Sequence, residues 1–391
     1  MRPRGVTLDA MDGRIGLGPW LDIFRVRGYF DVITQLRDAA RQAREDAAFV
    51  SSVRRSLARL PFEHASPDGR PVWTGRLRAR RLRRARLGLV ATGGSGALAS
   101  LVGVLKACEE LGIQPAAMSF ASGAALFAYP IAAGKTPDEV AKFVLGLDPT
   151  DWVDPDWMGL ATIVPKLGRG FAGILRGERV EKVYREFLGD MTLGELRIPS
   201  YLPAWNVERN QLEYLGPTTH PDLQVATAVR IGVSLPLFFE PVEWRGGSWC
   251  DGAIVDIFPV APLLDVEKRL DAVLGVNCFY PPEFVGDDAT GWKARTWSVL
   301  DIADQVMSSQ HLQLAREHLR RLRAEVRTVM MIQPVAYTVV RRTGLYQQFL
   351  DRSGWRDFMR SGRSQAAAAL TEQLAARSHS GRVSPRKRTT K

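Results

Sequence analysis

The sequence predicts an α/β protein in which helices cover both faces of a mainly parallel sheet, a three-layer α/β/α sandwich. The apolar segment 87–91 ends in a glycine turn and is followed by an amphipathic helical pattern from Leu98 to Cys108. The same order repeats when the short apolar segment 115–120 ends in a turn of small residues before the helical segment 124–133. Such repetition is typical of a right-handed βαβ unit, whose functional groups gather at the carboxyl ends of the strands.

The first of these turns has the sequence Thr-Gly-Gly-Ser-Gly at residues 92–96. Glycine lets the backbone approach a ligand closely, and the helix that follows adds the positive end of its dipole. The turn is therefore expected to direct backbone N–H groups at an oxyanion or a phosphate. It lacks the Gly-Lys-Ser/Thr ending of a P-loop, which makes nucleotide binding a weaker hypothesis.

The second turn, Ala121-Ser122-Gly123, follows the second predicted strand, which contains Ser119. A serine at a strand-to-helix turn can expose its hydroxyl above the sheet, as in a nucleophile elbow. Both turns are expected at the same edge of the sheet, so a nucleophile and an oxyanion site would face one crevice.

A third segment lies far downstream, where the block 234–242 is followed by 249–254 and 258–260. In order and spacing these blocks resemble the segment of patatin-like lipid acyl hydrolases that holds their catalytic Asp-Gly-Gly or Asp-Gly-Ala. The glycine turn is similar to the oxyanion loop of that family, and the serine turn falls where the family carries Gly-x-Ser-x-Gly. The resemblance covers about residues 87–280 and implies a patatin-like fold.

The resemblance also implies a set of site residues. It assigns Asp251, Gly252 and Ala253 to the acidic motif, and it assigns the oxyanion hole to Gly93, Gly94 and Ser95. Ser119, Ala121 and Gly123 occupy the elbow motif, with Ala121 at the aligned nucleophile position. Ala97 stands where the family usually has a cation.

Two hypotheses follow from an alanine at the nucleophile position. Either the chain is a catalytically inactive lipid-binding or regulatory relative, or Ser122 is the nucleophile of an elbow shifted by one residue. A Ser–Asp dyad requires a hydroxyl, a carboxylate within reach and backbone donors for the oxyanion. Ser122 and Asp251 are the residues expected to form it, in a hydrolase that acts on membrane lipid. Asp256 is a weaker candidate for the carboxylate.

The amino-acid composition indicates what kind of partner the protein binds. The chain has 391 residues, 46% of them hydrophobic, and a formal net charge of +11. The charge favours an anionic partner, and the arginine run Arg76–Arg86 together with a basic helix at 35–44 is consistent with contact to an anionic membrane surface. Alternatively, the run is a solvated linker and the helix packs on the core. Nucleic acid is unlikely as a partner because aromatic residues do not interleave the arginines.

The chain divides into four predicted parts. Residues 1–86 are expected to form a basic helical extension and linker, 87–280 the patatin-like core, 281–377 a mostly helical extension packed on the core, and 378–391 a disordered basic tail. Segment 160–179 is either a flap over the site or a surface insertion. We expect a cytoplasmic protein, peripheral at a membrane, without a signal peptide or transmembrane helix.

Neither a cofactor nor a metal is expected. The three cysteines show no CxxC spacing and are predicted to be buried thiols. His311 and His318 are two helical turns apart and share a helix face, but no third ligand of suitable spacing accompanies them.

Overall fold

The computed structural model describes residues 72–74, 85–94, 96–148, 151, 153–156, 172–267, 269–278, 280–285, 299–336 and 352–375. Several predictions concern residues outside these ranges: the basic helix at 35–44, the arginines of 76–84, most of segment 160–179 and the tail 378–391. The last arginine of the run is described. The Arg86 N–H donates to Asp271 at 2.9 Å, and its guanidinium lies 3.7 Å from Glu267.

Among the described residues, nine strands form the central sheet, and two more form a small parallel pair. The strands are β1 (Val72–Thr74), β2 (Leu87–Ala91), β3 (Pro115–Phe120), β4 (Gly173–Leu175), β5 (Ser200–Asn206), β6 (Gln211–Leu215), β7 (Leu237–Phe239), β8 (Val242–Trp244), β9 (Gly247–Asp251), β10 (Ala272–Val276) and β11 (Thr328–Ile332). The sheet has the order β1-β11-β10-β2-β3-β5-β9-β8, β6 also pairs with β5, and β4 pairs with β7. The five strands from β11 to β5 are parallel to one another, whereas β1, β6, β8 and β9 pair with their neighbours in the antiparallel sense.

Alternate residues of the parallel strands are buried in two separate cores. In β2, Leu89 belongs to one core and Val90 to the other, and in β10 the same holds for Leu274 and Val273. Because side chains alternate across a strand, a strand that is buried on both faces must lie between two layers. The predicted three-layer α/β/α fold is therefore confirmed.

Seven helices among the described residues supply these layers. They are α1 (Ser100–Glu110), α2 (Ala125–Ala132), α3 (Pro137–Gly146), α4 (Glu178–Leu188), α5 (Val225–Val233), α6 (Val299–Glu325) and α7 (Trp355–Ala375). Helix α3 begins at a capping box formed by Thr136 and Glu139, as its Thr-Pro-Asp-Glu sequence predicts. Among the described helices, none is long and apolar enough to cross a membrane.

The sheet extends beyond the predicted core of residues 87–280. Strand β11 pairs in parallel with β10, and β1 pairs with β11, so both flanking parts of the chain contribute to the sheet. The division into four parts stays a prediction. Helix α7 runs without interruption through Gly362, where a Cβ would lie 2.0 Å from the Ser100 carbonyl oxygen of α1, so the glycine lets the two helices pack closely.

Candidate active site

Strand register brings the two distant motifs to the same level of the sheet. Ser119 of β3 pairs with Tyr201 of β5, and Ala204 of β5 pairs with Asp251 of β9. Ser122 lies three residues beyond Ser119, just as Ala204 lies three residues beyond Tyr201. Since β3 and β5 are parallel, β5 extends past the end of β3 and carries Asp251 beside the serine turn.

The serine turn has its apex at Ser122. Ser122 is a non-glycine residue with a φ of 54°, whereas Ala121 is extended, with φ −115° and ψ 152°. Ala121 is fully buried in the second core, and its N–H still donates to the Ala91 carbonyl of β2 at 3.3 Å. The residue aligned with the family's nucleophile therefore does not occupy the elbow. A strained backbone at a partly buried serine is typical of a functional turn.

The glycine turn contacts the serine turn closely. A Cβ added to Gly93 would lie 2.9 Å from the Ser122 Cβ and 2.7 Å from the Ile257 Cδ1. A Cβ on Gly123 would lie 2.6 Å from the Gly94 carbonyl oxygen. Glycine is required at both positions because any side chain would separate the two turns.

The glycine turn offers fewer backbone donors than the resemblance implies. The Gly93 N–H already donates to the Ile257 carbonyl oxygen at 3.3 Å, which links the glycine turn to the segment after Asp251. Within the described residues no such bond occupies the Gly94 N–H. Ser95, the third predicted donor, lies outside the described residues. Of the two described glycines, Gly94 is thus better supported than Gly93 as a backbone donor to an oxyanion.

Asp251 ends β9 and is fully buried. Its Oδ1 accepts the Ala253 N–H at 2.9 Å, whereas Oδ2 has no hydrogen-bond partner within the described part of the chain. Burial raises the pKa of Asp251 to about 7, against the opposing effects of the Ser122 hydroxyl and the Ala253 N–H. Near neutral pH this carboxyl can both take and give a proton.

Gly252 and Ala253 form the short 3₁₀ turn that follows Asp251. A Cβ on Gly252 would lie 2.4 Å from the Pro203 carbonyl carbon, so the glycine lets the chain pass directly against β5. The backbone N–H of Asp251 donates to the Ser234 carbonyl at 2.9 Å, which joins the acidic motif to the predicted block at 234–242.

Asp256 is held by side chains that the sequence did not predict as partners. Its Oδ2 accepts the Tyr214 hydroxyl at 2.7 Å, and its Oδ1 accepts the Phe258 N–H at 3.1 Å and lies 3.2 Å from the His318 Nδ1. Both oxygens of Asp256 are therefore occupied, whereas Asp251 Oδ2 has no partner among the described residues. The shared helix face of His311 and His318 was the only sequence signal for this arrangement.

The remaining hydroxyl and thiol candidates are buried. Ser119 is fully buried inside β3, before the turn, and its hydroxyl has no partner within the described residues. Cys108, Cys250 and Cys278 are buried free thiols, as predicted. In the described ranges no three His, Cys, Asp or Glu side chains are grouped so that they would hold a metal ion.

The fold and this geometry define a class: three-layer α/β proteins with a serine elbow, a glycine turn and a buried aspartate at one sheet edge. Residues 89–264 match the family model "Patatin-like phospholipase". The match covers 45% of the chain, and over this segment the chain is similar to the patatin-like phospholipase family.

The chain is similar to several proteins over part of its length. An uncharacterized NTE family protein of Mycobacterium tuberculosis is 26% identical over 178 residues, a match that covers 45% of this chain and 45% of the relative. The uncharacterized protein YqhO of Bacillus subtilis is 28% identical over 206 residues, or 48% of this chain and 69% of that protein. The chain thus spans less than half the length of the mycobacterial relative.

Two solved structures are also similar. VipD from Legionella pneumophila aligns with a TM-score of 0.43 and 16% identity, over 74% of this chain and 67% of that one. Human GIVD cytosolic phospholipase A2 aligns with a TM-score of 0.43 and 10% identity, over 83% of this chain and 62% of that one.

Proposed function

We propose that this protein is a lipid acyl ester hydrolase that uses a Ser122–Asp251 dyad. The observation that carries the proposal is the pairing of a strained serine at the elbow with a buried aspartate whose Oδ2 is left unoccupied among the described residues. A buried carboxylate oxygen without a partner is costly, and a nucleophile's proton is a suitable occupant. The catalytically inactive alternative loses its main support, since Ala121 does not lie at the apex.

In the proposed first half-reaction, Ser122 Oγ bonds to the acyl carbonyl carbon while its proton passes to Asp251 Oδ2. The carbonyl oxygen becomes an oxyanion, and the Gly94 N–H is the proposed donor to it. The intermediate then collapses, the ester C–O bond breaks, and the leaving alcohol takes the proton from Asp251. The acyl group remains on Ser122.

In the second half-reaction, water attacks the acyl-serine carbonyl and gives a proton to Asp251. The bond to Ser122 Oγ breaks, Oγ recovers that proton, and a free fatty acid leaves. Ester and water are thereby converted into acid and alcohol, and the enzyme returns to its starting state. Because Asp251 acts first as base, the carboxylate form is the active one.

Location at an anionic membrane surface is part of the proposal. The net charge of +11 supports it, because polybasic segments gain about 1 kcal/mol per Lys or Arg near an anionic leaflet. The arginine run 76–86 and the helix at 35–44 are the proposed contacts. Vesicles with and without an anionic phospholipid, compared at low and high salt, test this part separately from the chemistry.

Purified protein assayed on short-chain nitrophenyl esters and phospholipid vesicles tests the chemistry. Ser122→Ala is expected to lower kcat/KM by at least about 1,000-fold, since the nucleophile is lost. Ser119→Ala is the matched control and is expected to retain activity, because Ser119 is buried in β3. Wild-type activity that survives Ser122→Ala contradicts the dyad. Vesicle binding without any turnover by wild-type protein supports the inactive lipid-binding alternative.

A further inference from the structure

Helix α6 presents two histidines to the segment that follows the proposed catalytic aspartate. His311 and His318 lie about two helical turns apart on one face. The apolar stripe between and beyond them packs into the second core through Leu312, Ala315, Leu319 and Leu322. This packing fixes the rotation of α6, so both imidazoles are held against residues 252–258.

The contacts of His311 define its tautomer. Its Nε2 lies 2.5 Å from the Ile254 carbonyl oxygen, and its Nδ1 lies 2.8 Å from the Tyr280 hydroxyl. A carbonyl oxygen can only accept, so Nε2 carries the proton and Nδ1 accepts the Tyr280 O–H. Ile254 is three residues after Asp251, in the same 3₁₀ turn that supplies the Ala253 N–H to the carboxylate.

His318 binds the other end of the segment through the opposite ring nitrogen. Its Nδ1 lies 2.8 Å from the Phe258 carbonyl oxygen and 3.2 Å from the Asp256 Oδ1. Both of these atoms are acceptors, so Nδ1 carries the proton. The residue between these anchors, Ile257, accepts the Gly93 N–H and so connects the segment to the glycine turn.

We infer that His311 and His318 are positioning residues that clamp the 252–258 segment and thereby hold Asp251 and the glycine turn in register with Ser122. Neither imidazole is placed to exchange a proton with the reacting atoms, because both are engaged with backbone carbonyls of the segment. The inference rests on the proposed function only in naming Asp251 as the catalytic carboxylate. A histidine clamp therefore serves a dyad that itself contains no histidine.

The two tautomers allow a matched experiment. A glutamine amide nitrogen occupies about the position of histidine Nε2, and an asparagine amide nitrogen about that of Nδ1. His311→Gln and His318→Asn therefore keep the donor to the segment, whereas His311→Asn and His318→Gln misplace it. At about pH 8 we expect the first pair within about threefold of wild-type kcat, and the second pair, like His311→Ala, lower by about 10- to 100-fold.

A second measurement separates positioning from a general loss of structure. An intact clamp keeps water from Asp251 and its pKa high, at about 7. In misplaced-donor variants water reaches the carboxyl, so the rising limb of the kcat/KM profile is expected to move to lower pH while KM changes little. The pH-dependent stability difference between each variant and its Asp251→Asn double variant is expected to shrink by at least half.

The stability difference needs no turnover, so the two proposals can fail separately. If matched and misplaced variants have the same kcat and the same Asp251-linked stability, the clamp is overturned. If the misplaced variants change the Asp251-linked stability but Ser122→Ala hydrolyses esters at the wild-type rate, the clamp is supported and the proposed dyad is contradicted. Matched variants that fold and act like wild type, beside misplaced variants that do not, support the clamp, and loss of activity in Ser122→Ala supports the dyad.

Discussion

The two halves of the candidate site are built in different ways. On the nucleophile side, a Cβ added to Gly93 or Gly123 would lie within 2.9 Å of neighbouring atoms, so the two turns pack together only because these residues are glycine. On the acid side, the segment after Asp251 is held by side chains from β6 and α6, which bind through hydrogen bonds. The first half depends on the absence of side chains and the second on their presence.

This difference has a consequence for how each half tolerates change. A glycine in such a close contact has no side chain that could adjust, so substitution there acts through steric overlap. A hydrogen-bonded anchor can lose one donor and keep others, so substitution acts in increments of about 1–3 kcal/mol. Mutations on the nucleophile side are therefore expected to act by displacing the turns, and mutations of the anchors by removing single hydrogen bonds.

On the acid side, Asp251→Asn is the substitution expected to reduce activity the most. Asparagine cannot accept the serine proton, and we expect kcat/KM to fall by about 1,000-fold. For the wild type, activity is expected to rise with pH through about 7, as the carboxyl ionises. Steady-state kinetics between pH 5 and 9 check both. A pH-independent wild-type rate would contradict the base role.

The same residue gives a stability signature of defined sign. Because the pKa of Asp251 is raised to about 7 in the folded state, its favourable contribution is complete below the unfolded-state value near 4 and is lost as the pH rises through about 7. Between about pH 4 and pH 7, the free energy of unfolding of Asp251→Asn should therefore increase relative to that of the wild type, by a few kcal/mol. Urea unfolding at each pH measures this difference.

Gly93→Ala and Gly123→Ala probe the nucleophile side. Their methyl groups would intrude on Ser122 and Ile257 in the first case and on the Gly94 carbonyl in the second. We expect kcat to fall by about 10- to 100-fold, because displacement by a fraction of an ångström misaligns the attacking oxygen. Gly146→Ala, at the end of α3 with open space around it, is the control and is expected to leave activity unchanged. Full activity in Gly93→Ala would show that the two turns are not in functional contact.

Tyr214→Phe removes one anchor of Asp256 without changing shape. The buried Asp256 Oδ2 loses its donor, and we expect the free energy of unfolding to decrease by about 1–3 kcal/mol. The effect on kcat is expected to be below about tenfold, since His318 and the Phe258 N–H still bind Oδ1. Chemical denaturation and kinetics on one preparation give both values. A loss of rate as large as that of Asp251→Asn would place Asp256 in the chemistry.

The smallest expected effect separates charge from hydrogen bonding at His318. Burial disfavours protonation there, but the hydrogen bond and charge of Asp256 outweigh it, so the pKa of His318 is raised. The stabilisation by the charged form is thus complete below about pH 6.5 and lost as the pH rises through the folded-state pKa. Arg321 on the same helix opposes it, and Asp265 pairs with Arg321. The free energy of unfolding of the wild type, relative to that of His318→Asn, should therefore decrease as the pH rises.

His220 provides the matched contrast, since burial lowers its pKa with Glu213 opposing the shift and Arg245 adding to it. The free energy of unfolding of the wild type, relative to that of His220→Asn, should accordingly increase as the pH rises towards about 6.5. Parallel trends for the two histidines would contradict the assigned environment of His318.

Much of the fold followed from sequence pattern. The apolar runs at 87–91 and 115–120 became β2 and β3 because a strand buried on both faces must be continuously apolar. The apolar segment 272–276 likewise became β10 and joins the same sheet. Sequence pattern does not account for Gly362 inside α7, because single-sequence propensity counts the cost of a glycine in a helix but not the close packing of α7 on α1.

By itself, the sequence determined the βαβ unit, the two turns and the acidic motif, because these depend on local periodicity and on residues that permit tight backbone paths. It left the elbow at Ala121 or Ser122 undecided, since a shift by one residue changes no composition. Tertiary structure decided it through the positive φ of Ser122 and the register of β3, β5 and β9. Only the fold joined Asp256 to Tyr214 and His318, since hydrogen bonds between residues 42 or more positions apart leave no local pattern.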